Sequence, residues 1–237
     1  MHKLYAGTSG WAYPLWKPAF YPAKLASSKF LSHYATRLNS VEVNYTFRAF
    51  PTEKLLTGWI AQTPDGFLFS MKAHQSITHV KRLRSVTKNT LDFLTALRPL
   101  TDAGKLGPVL FQLPPNLKYD LALFDEFLAG LPRQMRSTME FRNESWFRDD
   151  VFEHMRNANV ALCIAESDDL ETPQVSTADF SCMRLRKTEY SPKVRKEIAK
   201  TVEDLAAKGD VFTYFKHEDT PDGALYAEEL LKSVKGN

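Results

Sequence analysis

The sequence predicts a single domain over residues 1–237, a (β/α)8 barrel of the TIM type with parallel strands. Eight short strand patterns recur along the chain, and nearly every one is followed by a helical pattern. Strict alternation of strand and helix implies right-handed crossovers and a parallel sheet, and eight such units close a barrel. An open doubly wound sheet is the alternative, but neither GxGxxG after the first strand nor a P-loop is present.

The strands are predicted from short apolar runs that are bounded by turn residues. In chain order they are residues 3–6, 40–47, 67–73, 108–113, 137–141, 160–165, 181–186 and 211–216. The helices are predicted from apolar residues at helical spacing, the first of them behind Ser27 or Ser28 as a cap. They are residues 27–38, 51–61, 86–100, 121–129, 149–157, 192–208 and 222–234. Residues 166–180 are polar and turn-rich, so no helix is predicted between the sixth and seventh strands.

The composition is typical of a domain with a large buried core, since 43% of the residues are apolar. The net charge of +3 permits attraction to anions without requiring nucleic acid, because no basic block stands apart from the fold. Cys163 and Cys182 lie in separate apolar runs, which predicts buried reduced thiols. The chain contains no apolar run long enough to span a membrane, and its first residues predict a strand rather than a signal peptide. We therefore expect a cytoplasmic protein.

Polar residues interrupt strands that should be apolar on both faces if helices cover a parallel sheet. These residues alternate with apolar ones and cluster towards the ends of their strands: Glu42, Asn44, Ser70, Lys72, Gln112, Glu140, Arg142, Arg184, Arg186 and Lys216. Because successive side chains point to opposite faces, the apolar set should face the helices and the polar set the barrel interior. Barrels of this kind place their functional sites at the C-terminal ends of the strands.

Unpaired charge in such a position would cost several kcal/mol, so opposite charges should pair with each other or with a ligand. Glu42 and Glu140, with Lys72, are the candidates for acid–base catalysis, since cationic neighbours and desolvation shift pKa values in opposite directions. The alternative is a closed network of ion pairs with no chemistry.

An anion subsite is predicted where the seventh and eighth strands end, in the sector where many barrels hold phosphate. Arg184, Arg186 and Lys216 lie there, and arginine suits bidentate recognition of phosphate or carboxylate. Aromatic residues near the strand ends predict a wall on which a sugar or a base stacks. The further ligand-binding candidates around the mouth are Trp11, Asn44, His79, Gln112, Arg142 and Trp146.

No cofactor is predicted, and a single divalent metal ion is the weaker alternative. The histidines at or just beyond predicted strand ends are His74, His79 and His217, and the acidic residues that would join them are Glu140, Glu166, Asp168 and Asp219. No metal-binding spacing such as HExxH supports that site. Ser9 is not a nucleophile elbow, because the GxSxG pattern is absent.

A set of motifs along nearly the whole chain resembles the YecE-like family, domain of unknown function family 72 (DUF72). The motifs are Gly7–Trp11, Phe20–Pro22, Val41–Asn44, Thr63–Phe67, Lys72–Ala73, Ile77–His79, Gly107–Pro115, Glu140–Arg142 and Ser145–Trp146. The resemblance implies a TIM-type barrel without an established activity. That barrel looks like those of sugar isomerases and endonuclease IV, so a nucleic-acid or sugar-phosphate ligand follows by analogy only.

The chain departs from the family pattern at two strand ends. Family members often carry Arg-x-His-Gly on the seventh strand and Asn-Asn-Asp after the eighth. This chain has Arg184-Leu185-Arg186-Lys187 and Lys216-His217-Glu218-Asp219 instead. Both ends are therefore more basic here, and ligand contacts of the family at these positions do not carry over.

Two functions are compatible with these residues. One is an enzyme that hydrolyses or isomerises a phosphodiester, a sugar phosphate or another small anionic substrate, with Glu42 or Glu140 as the acid or base. The other is a non-catalytic module that binds nucleic acid or an anionic metabolite.

Overall fold

Eight parallel strands form a nearly closed barrel, which confirms the predicted fold. The computed structural model describes residues 2–166, 171–216 and 218–234. The strands are β1 (Leu4–Thr8), β2 (Ser40–Val43), β3 (Leu68–Lys72), β4 (Leu106–Gln112), β5 (Ser137–Glu140), β6 (Val160–Glu166), β7 (Phe180–Leu185) and β8 (Asp210–Phe215). Hydrogen-bonded neighbours run in the order β1-β8-β7-β6-β5-β4-β3-β2, so the seam of the barrel lies between β1 and β2.

Helices cover the outside of the barrel. They are α1 (Phe30–Tyr34), α2 (Glu53–Ile60), α3 (Thr87–Ala96), α4 (Arg98–Asp102), α5 (Leu121–Ala129), α6 (Asp149–Ala158), α7 (Pro192–Ala206) and α8 (Asp222–Ser233). No helix lies in the described residues 171–179 between β6 and β7, in agreement with the polar sequence there. None of the described helices is both long and apolar enough to cross a membrane.

Three elements differ from their predicted bounds by more than two residues. The predicted helix over residues 86–100 is two helices, because Pro99 lacks the N–H that would continue α3 and instead occupies the first turn of α4. The predicted strand over residues 40–47 ends at Val43, and Tyr45–Phe47 form a 3-10 turn. The predicted first helix is α-helical only over Phe30–Tyr34, after a 3-10 turn at Ser27–Lys29.

The alternation along the strands places one set of side chains against the helices, as predicted, and the other set in the barrel interior, whose lower part is apolar. Residues such as Val41, Phe69 and Met139 belong to the large layer between the strands and the helices. A second cluster fills the barrel interior: Tyr5, Leu68, Leu110, Ala161, Cys163, Ala165, Phe180, Cys182, Phe212 and Tyr214. Both cysteines are buried and free, which confirms the predicted thiols. We call the C-terminal ends of the strands the upper ends and the N-terminal ends the lower ends. The polar residues at the upper ends lie on the same inward face of the strands.

Side chains close the seam between β1 and β2. At the lower end the Asn39 side chain accepts a hydrogen bond from Ala6 N and donates to the carbonyl of Leu4, at 2.9 and 2.8 Å. In the middle the Tyr34 hydroxyl accepts from Thr8 N and donates to the carbonyl of Ser40, both at 2.9 Å. The backbone of each strand therefore has hydrogen-bond partners although the two strands pair directly only at their upper ends.

Gly7 makes this close approach possible. A Cβ atom at Gly7 would lie 1.9 Å from the Ser40 carbonyl oxygen and 2.6 Å from the Tyr34 hydroxyl. We therefore expect Gly7→Ala to lower the free energy of unfolding by about 3 kcal/mol or more, because the seam must open to admit the methyl group. Urea denaturation followed by circular dichroism measures the change.

Gly58→Ala is the matched control, since a Cβ atom at this position of α2 meets nothing within 4 Å. That variant should gain about 0.5–1 kcal/mol from helix propensity. Equal stability of the Gly7→Ala variant and the wild type would contradict the tight seam.

Candidate functional site

A buried arginine spans the top of the barrel between two buried carboxylates. Arg184 Nε and Nη2 of β7 contact Glu42 Oε2 and Oε1 of β2, each at 2.7 Å. Its Nη1 donates a short hydrogen bond to Glu140 Oε2 of β5. All three residues are at most 2% exposed. These residues form what we call the floor of the site, Glu42–Arg184–Glu140.

Polar side chains extend this floor towards both sides of the barrel. On one side Gln112 Nε2 donates to Glu140 Oε1 at 2.8 Å, and Gln112 Oε1 accepts from Lys72 Nζ at 2.9 Å. On the other side the Ser9 hydroxyl donates to Glu42 Oε1 at 2.8 Å. The backbone N–H of Gly10 donates to the Glu42 carbonyl at 2.8 Å, so the floor also joins the seam.

Two further arginines lie above Glu140. Arg142 Nε donates to Glu140 Oε1 at 3.0 Å, and Arg186 Nη2 lies 3.4 Å from the same oxygen. Their side chains are 29% and 17% exposed, whereas that of Glu140 is fully buried. These arginines therefore form the accessible surface of the cluster.

The cluster holds more positive than negative charge. Two carboxylates face four cations: Glu42 and Glu140 against Lys72, Arg142, Arg184 and Arg186. Two positive charges are thus in excess within this cluster of described residues. We call the three accessible cations, Lys72, Arg142 and Arg186, the cationic sector.

The floor holds Glu140 ionised. Burial alone would raise the pKa of this carboxyl, but Arg184, Arg186 and Arg142 outweigh burial and lower it to about 2. Burial would likewise lower the pKa of Arg184, yet Glu140 and Glu42 hold it well above its ordinary value. Both groups therefore remain charged throughout the physiological range.

The cationic sector is electrostatically frustrated. Burial and, after it, the neighbouring Arg184 lower the pKa of Lys72 to about 8, against the attraction of Glu42 and Glu140. Burial is also the main cause that lowers the pKa of Arg186, with Arg184 and Arg142 acting in the same direction. An additional anion beside these groups would relieve the repulsion.

Most hydrogen-bond donors of the cationic sector have no acceptor among the described residues. Among the described residues Lys72 Nζ makes one hydrogen bond and Arg142 makes one, through Nε. Arg186 Nε is buried and makes no hydrogen bond there. Asn44 Nδ2 lies 3.4 Å from Glu42 Oε1, and Asn44 Oδ1 has no described partner.

His79 lies beside the cationic sector in the π-helical turn Ser76–Val80 that follows β3. Its ring meets the edge of Phe47 with centroids 4.8 Å apart, and Lys72 Nζ lies 4.2 Å from the centroid of Phe47. Burial, followed by Lys72, Arg142 and Arg82, lowers the pKa of His79. The imidazole is therefore neutral at pH 7.

Three predicted ligand contacts lie apart from this cluster. The Trp146 ring is fully buried and stacks on Phe141 at 5.0 Å, with its Nε1 donating to the carbonyl of Leu117. Trp11 is partly exposed but packs edge-on against Trp59 of α2. The exposed Lys216 side chain makes no described ion pair or hydrogen bond, and only its backbone N–H joins β7.

The metal-site candidates are also dispersed. His74 contacts the Ser76 hydroxyl and the carbonyl of Arg48, while His79 contacts the Thr78 hydroxyl. His217 and Asp168 lie outside the described residues. Within the described ranges no three side chains of His, Cys, Asp or Glu come together in a way that could hold a metal ion.

Sequence reasoning missed one member of the site. The sequence excludes Ser9 as a nucleophile elbow and predicts no other role for it, yet its hydroxyl donates to Glu42. The signal available in the sequence was its position directly after the first strand. In the structure Ser9 pairs with Glu42 in an isolated parallel bridge.

Comparisons with known proteins agree with this architecture. The profile of a family described as "Protein of unknown function DUF72" matches residues 5–237. The UPF0759 protein YunF of Bacillus subtilis (strain 168) is 30% identical over 156 residues, which cover 63% of this chain and 54% of YunF. The match therefore spans about half the length of that relative.

Solved structures share the fold. A DUF72 family protein from Thermotoga maritima MSB8 has a TM-score of 0.86 and 25% identity, over 99% of this chain and 100% of that chain. Another from Enterococcus faecalis V583 has a TM-score of 0.78 and 16% identity, over 99% and 98%. An AP endonuclease of family 2 from Brucella melitensis has a TM-score of 0.50 and 10% identity, over 90% and 92%, and shows the fold alone.

The floor should contribute strongly to stability. Glu140→Gln leaves the buried Arg184 without one of its two countercharges, and we expect it to lower the free energy of unfolding at pH 7 by about 3–5 kcal/mol. In the wild type this contribution is present above the unfolded-state pKa of about 4.3 and is lost as the pH falls towards 2. Urea denaturation from pH 7 to pH 3 should therefore show the two proteins converging.

Asp92→Asn is the control, because it breaks the exposed pair between Lys88 and Asp92 and should cost at most about 1 kcal/mol. A Glu140→Gln variant no less stable than this control would show that the floor contributes little.

Proposed function

The chain belongs to the DUF72 family of proteins of unknown function, and from its barrel mouth we propose that it binds a phosphate-containing anion. The observation that carries the proposal is the excess of two positive charges at the C-terminal ends of β3, β5 and β7. Cations held together without matching carboxylates are costly, and a bound anion offsets that cost. The upper ends of the strands are also where barrels of this type place their sites.

A phosphate group fits the free donors better than a single carboxylate does. It carries nearly two negative charges at neutral pH and three acceptor oxygens. Arg142 retains its two terminal nitrogens, and Lys72 Nζ retains two N–H groups among the described contacts. Arginine forks bind phosphate bidentately, whereas lysine adds a point charge. The binding needs no metal ion, because side chains supply the positive charge.

In this proposal the floor positions the cationic sector. Arg142 and Arg186 both form ion pairs with Glu140, which is fully buried and ionised at neutral pH. A carboxyl with a pKa of about 2 and three arginine contacts is a poor proton acceptor at pH 7. We therefore assign Glu140 to positioning rather than to acid–base catalysis. Glu42 has the same role in this proposal, because both of its carboxylate oxygens contact the buried Arg184.

Proton transfer by Lys72 is the second candidate function, and it makes the protein an enzyme rather than a binding module. The observation in its favour is the position of Lys72 Nζ at the mouth, where it makes one described hydrogen bond, to Gln112. Burial lowers the pKa of this group to about 8, near the range where a general acid or base works well. Hydrolysis or isomerisation of a phosphate ester would use such a group. The resemblance to the Brucella melitensis AP endonuclease concerns the fold alone.

Removing one accessible cation should weaken anion binding. Arg142→Gln and Arg186→Gln each remove charge-assisted hydrogen bonds worth about 1.5–3 kcal/mol, so each should weaken the affinity for inorganic phosphate about 10- to 150-fold. Isothermal titration calorimetry measures the affinity, and thermal unfolding checks that each variant is folded.

Lys216→Gln removes the same charge at the same end of the barrel but outside the cluster, and should change the affinity less than about 2-fold because exposed charges are screened. Equal losses at Lys216 and Arg186 would mean that phosphate is attracted diffusely and has no site between the two arginines.

The protonation of Lys72 should govern binding above neutral pH. Sulfate keeps its charge over this range, so its affinity for the wild type should fall as the pH rises through about 8, where Lys72 loses its proton. Lys72→Arg should bind sulfate with no such fall, because arginine stays protonated. Calorimetric titrations from pH 6.5 to 9.5 test this, and a wild-type affinity independent of pH would exclude Lys72 from the site.

An assay of bis(p-nitrophenyl) phosphate cleavage tests the second candidate function. If the wild type cleaves this ester, loss of turnover in Lys72→Arg with sulfate binding retained would assign the proton transfer to Lys72.

A further inference from the structure

Exposed apolar side chains are concentrated on one side of the barrel mouth. Five large apolar side chains are exposed among the described residues, and four of them lie in the loops that follow β1, β2 and β3: Leu15, Tyr45, Phe50 and Val80. The fifth, Leu91, lies on α3. We call the four side chains, together with Phe47, the apolar rim. Clustered exposed apolar surface is a mark of a binding site.

Phe47 joins the apolar rim to the cationic sector. The Thr46 hydroxyl donates to the carbonyl of Lys72 at 2.7 Å, which anchors the 3-10 turn Tyr45–Phe47 beside the end of β3. Lys72 Nζ lies over the Phe47 ring at 4.2 Å. An anion held by Lys72 would therefore have an aromatic surface directly next to it.

Tyr45 presents the free ring of this surface. Phe47 and Phe50 already contact His79 and His74, at 4.8 and 5.0 Å between ring centroids. The Tyr45 ring is 53% exposed, and within the described part of the chain it has neither a ring contact nor a hydrogen bond from its hydroxyl. An exposed aromatic side chain of this kind provides a face on which a planar group stacks.

We propose that the ligand is a nucleotide unit, with its phosphate in the cationic sector and its base stacked on Tyr45. The proposal rests on the proposed anion site and adds the chemistry of the rest of the ligand. A sugar phosphate alone would leave the apolar rim uncovered, whereas a base covers it. The His79 ring contacts Phe47 of the apolar rim, and its Nε2 makes no hydrogen bond among the described residues, so this nitrogen is available to the edge of a base or to a ribose hydroxyl.

The test compares adenosine 5′-monophosphate with ribose 5-phosphate by calorimetry, since the nucleotide carries adenine at the ribose carbon where the sugar phosphate carries a hydroxyl. Stacking of a base on an aromatic side chain is worth about 1–3 kcal/mol, so the nucleotide should bind about 5- to 150-fold more tightly to the wild type. Tyr45→Ala should bring the two affinities within about 2-fold of each other and leave that for ribose 5-phosphate unchanged. Tyr45→Phe should retain the preference, and Leu91→Ala is the control for an exposed apolar side chain elsewhere.

The outcomes separate the two proposals. If ribose 5-phosphate and the nucleotide bind equally well and Tyr45→Ala changes neither, the nucleotide proposal is overturned while the anion site stands. If neither compound binds, both proposals fail. Comparing thymidine 5′-monophosphate with a short oligothymidylate identifies the source of the nucleotide unit. Tighter and strongly salt-dependent binding of the oligonucleotide supports a single strand as the ligand, whereas equal affinities support a free nucleotide.

Discussion

Arg184 makes a pair of ion contacts across the barrel on which the rest of the site depends. Its guanidinium group touches Glu42 on one wall and Glu140 on the other, in an interior from which water is almost excluded. Removing either carboxylate would leave buried charge uncompensated, and removing the arginine would leave two carboxylates facing each other. The contacts thereby tie β2, β5 and β7 together at one height. Through Ser9 and Gly10 the same floor extends to the seam between β1 and β2.

The floor also determines what the mouth of the barrel can attract. Glu42 pairs with Arg184, so Glu140 is the carboxylate that contacts Arg142 and Arg186. The charges of Lys72, Arg142 and Arg186 are therefore not fully matched within the cluster, and burial combined with mutual repulsion lowers the pKa of Lys72 and of Arg186. This arrangement differs from a closed ion-pair network, in which each cation would have a carboxylate of its own. The excess positive charge lies on the accessible cationic sector, next to Phe47 of the apolar rim.

Much of this arrangement could be predicted from the sequence, because the two-residue period of a strand separates the barrel interior from the helix layer. Glu42, Glu140 and Arg184 share the inward phase of their strands, and that phase alone brings them together at the C-terminal end. The strand bounds followed from apolar runs for the same reason. What periodicity cannot show is the direction of side chains in the loops beyond the strands. Trp146 therefore proved to be a core residue, and Lys216 stands one residue past β8 with its side chain in solvent.

The roles of individual groups depended on contacts between distant parts of the chain. From the sequence, Glu140 is a candidate acid or base. In the structure Arg184, Arg186 and Arg142 lower its pKa against the effect of burial and keep it ionised. The seam likewise depends on Asn39 and Tyr34, whose side chains replace the backbone hydrogen bonds between the two strands.

We propose above all that an anion binds to the cationic sector above an intact floor. A crystal structure determined in the presence of tungstate, a phosphate analogue with strong anomalous scattering, tests it most directly. We expect one anion within hydrogen-bonding distance of Lys72, Arg142 and Arg186 while Arg184 remains between its carboxylates. A mouth free of tungstate at saturating concentration, or an anion that draws Arg184 away from Glu42 and Glu140, would contradict the account.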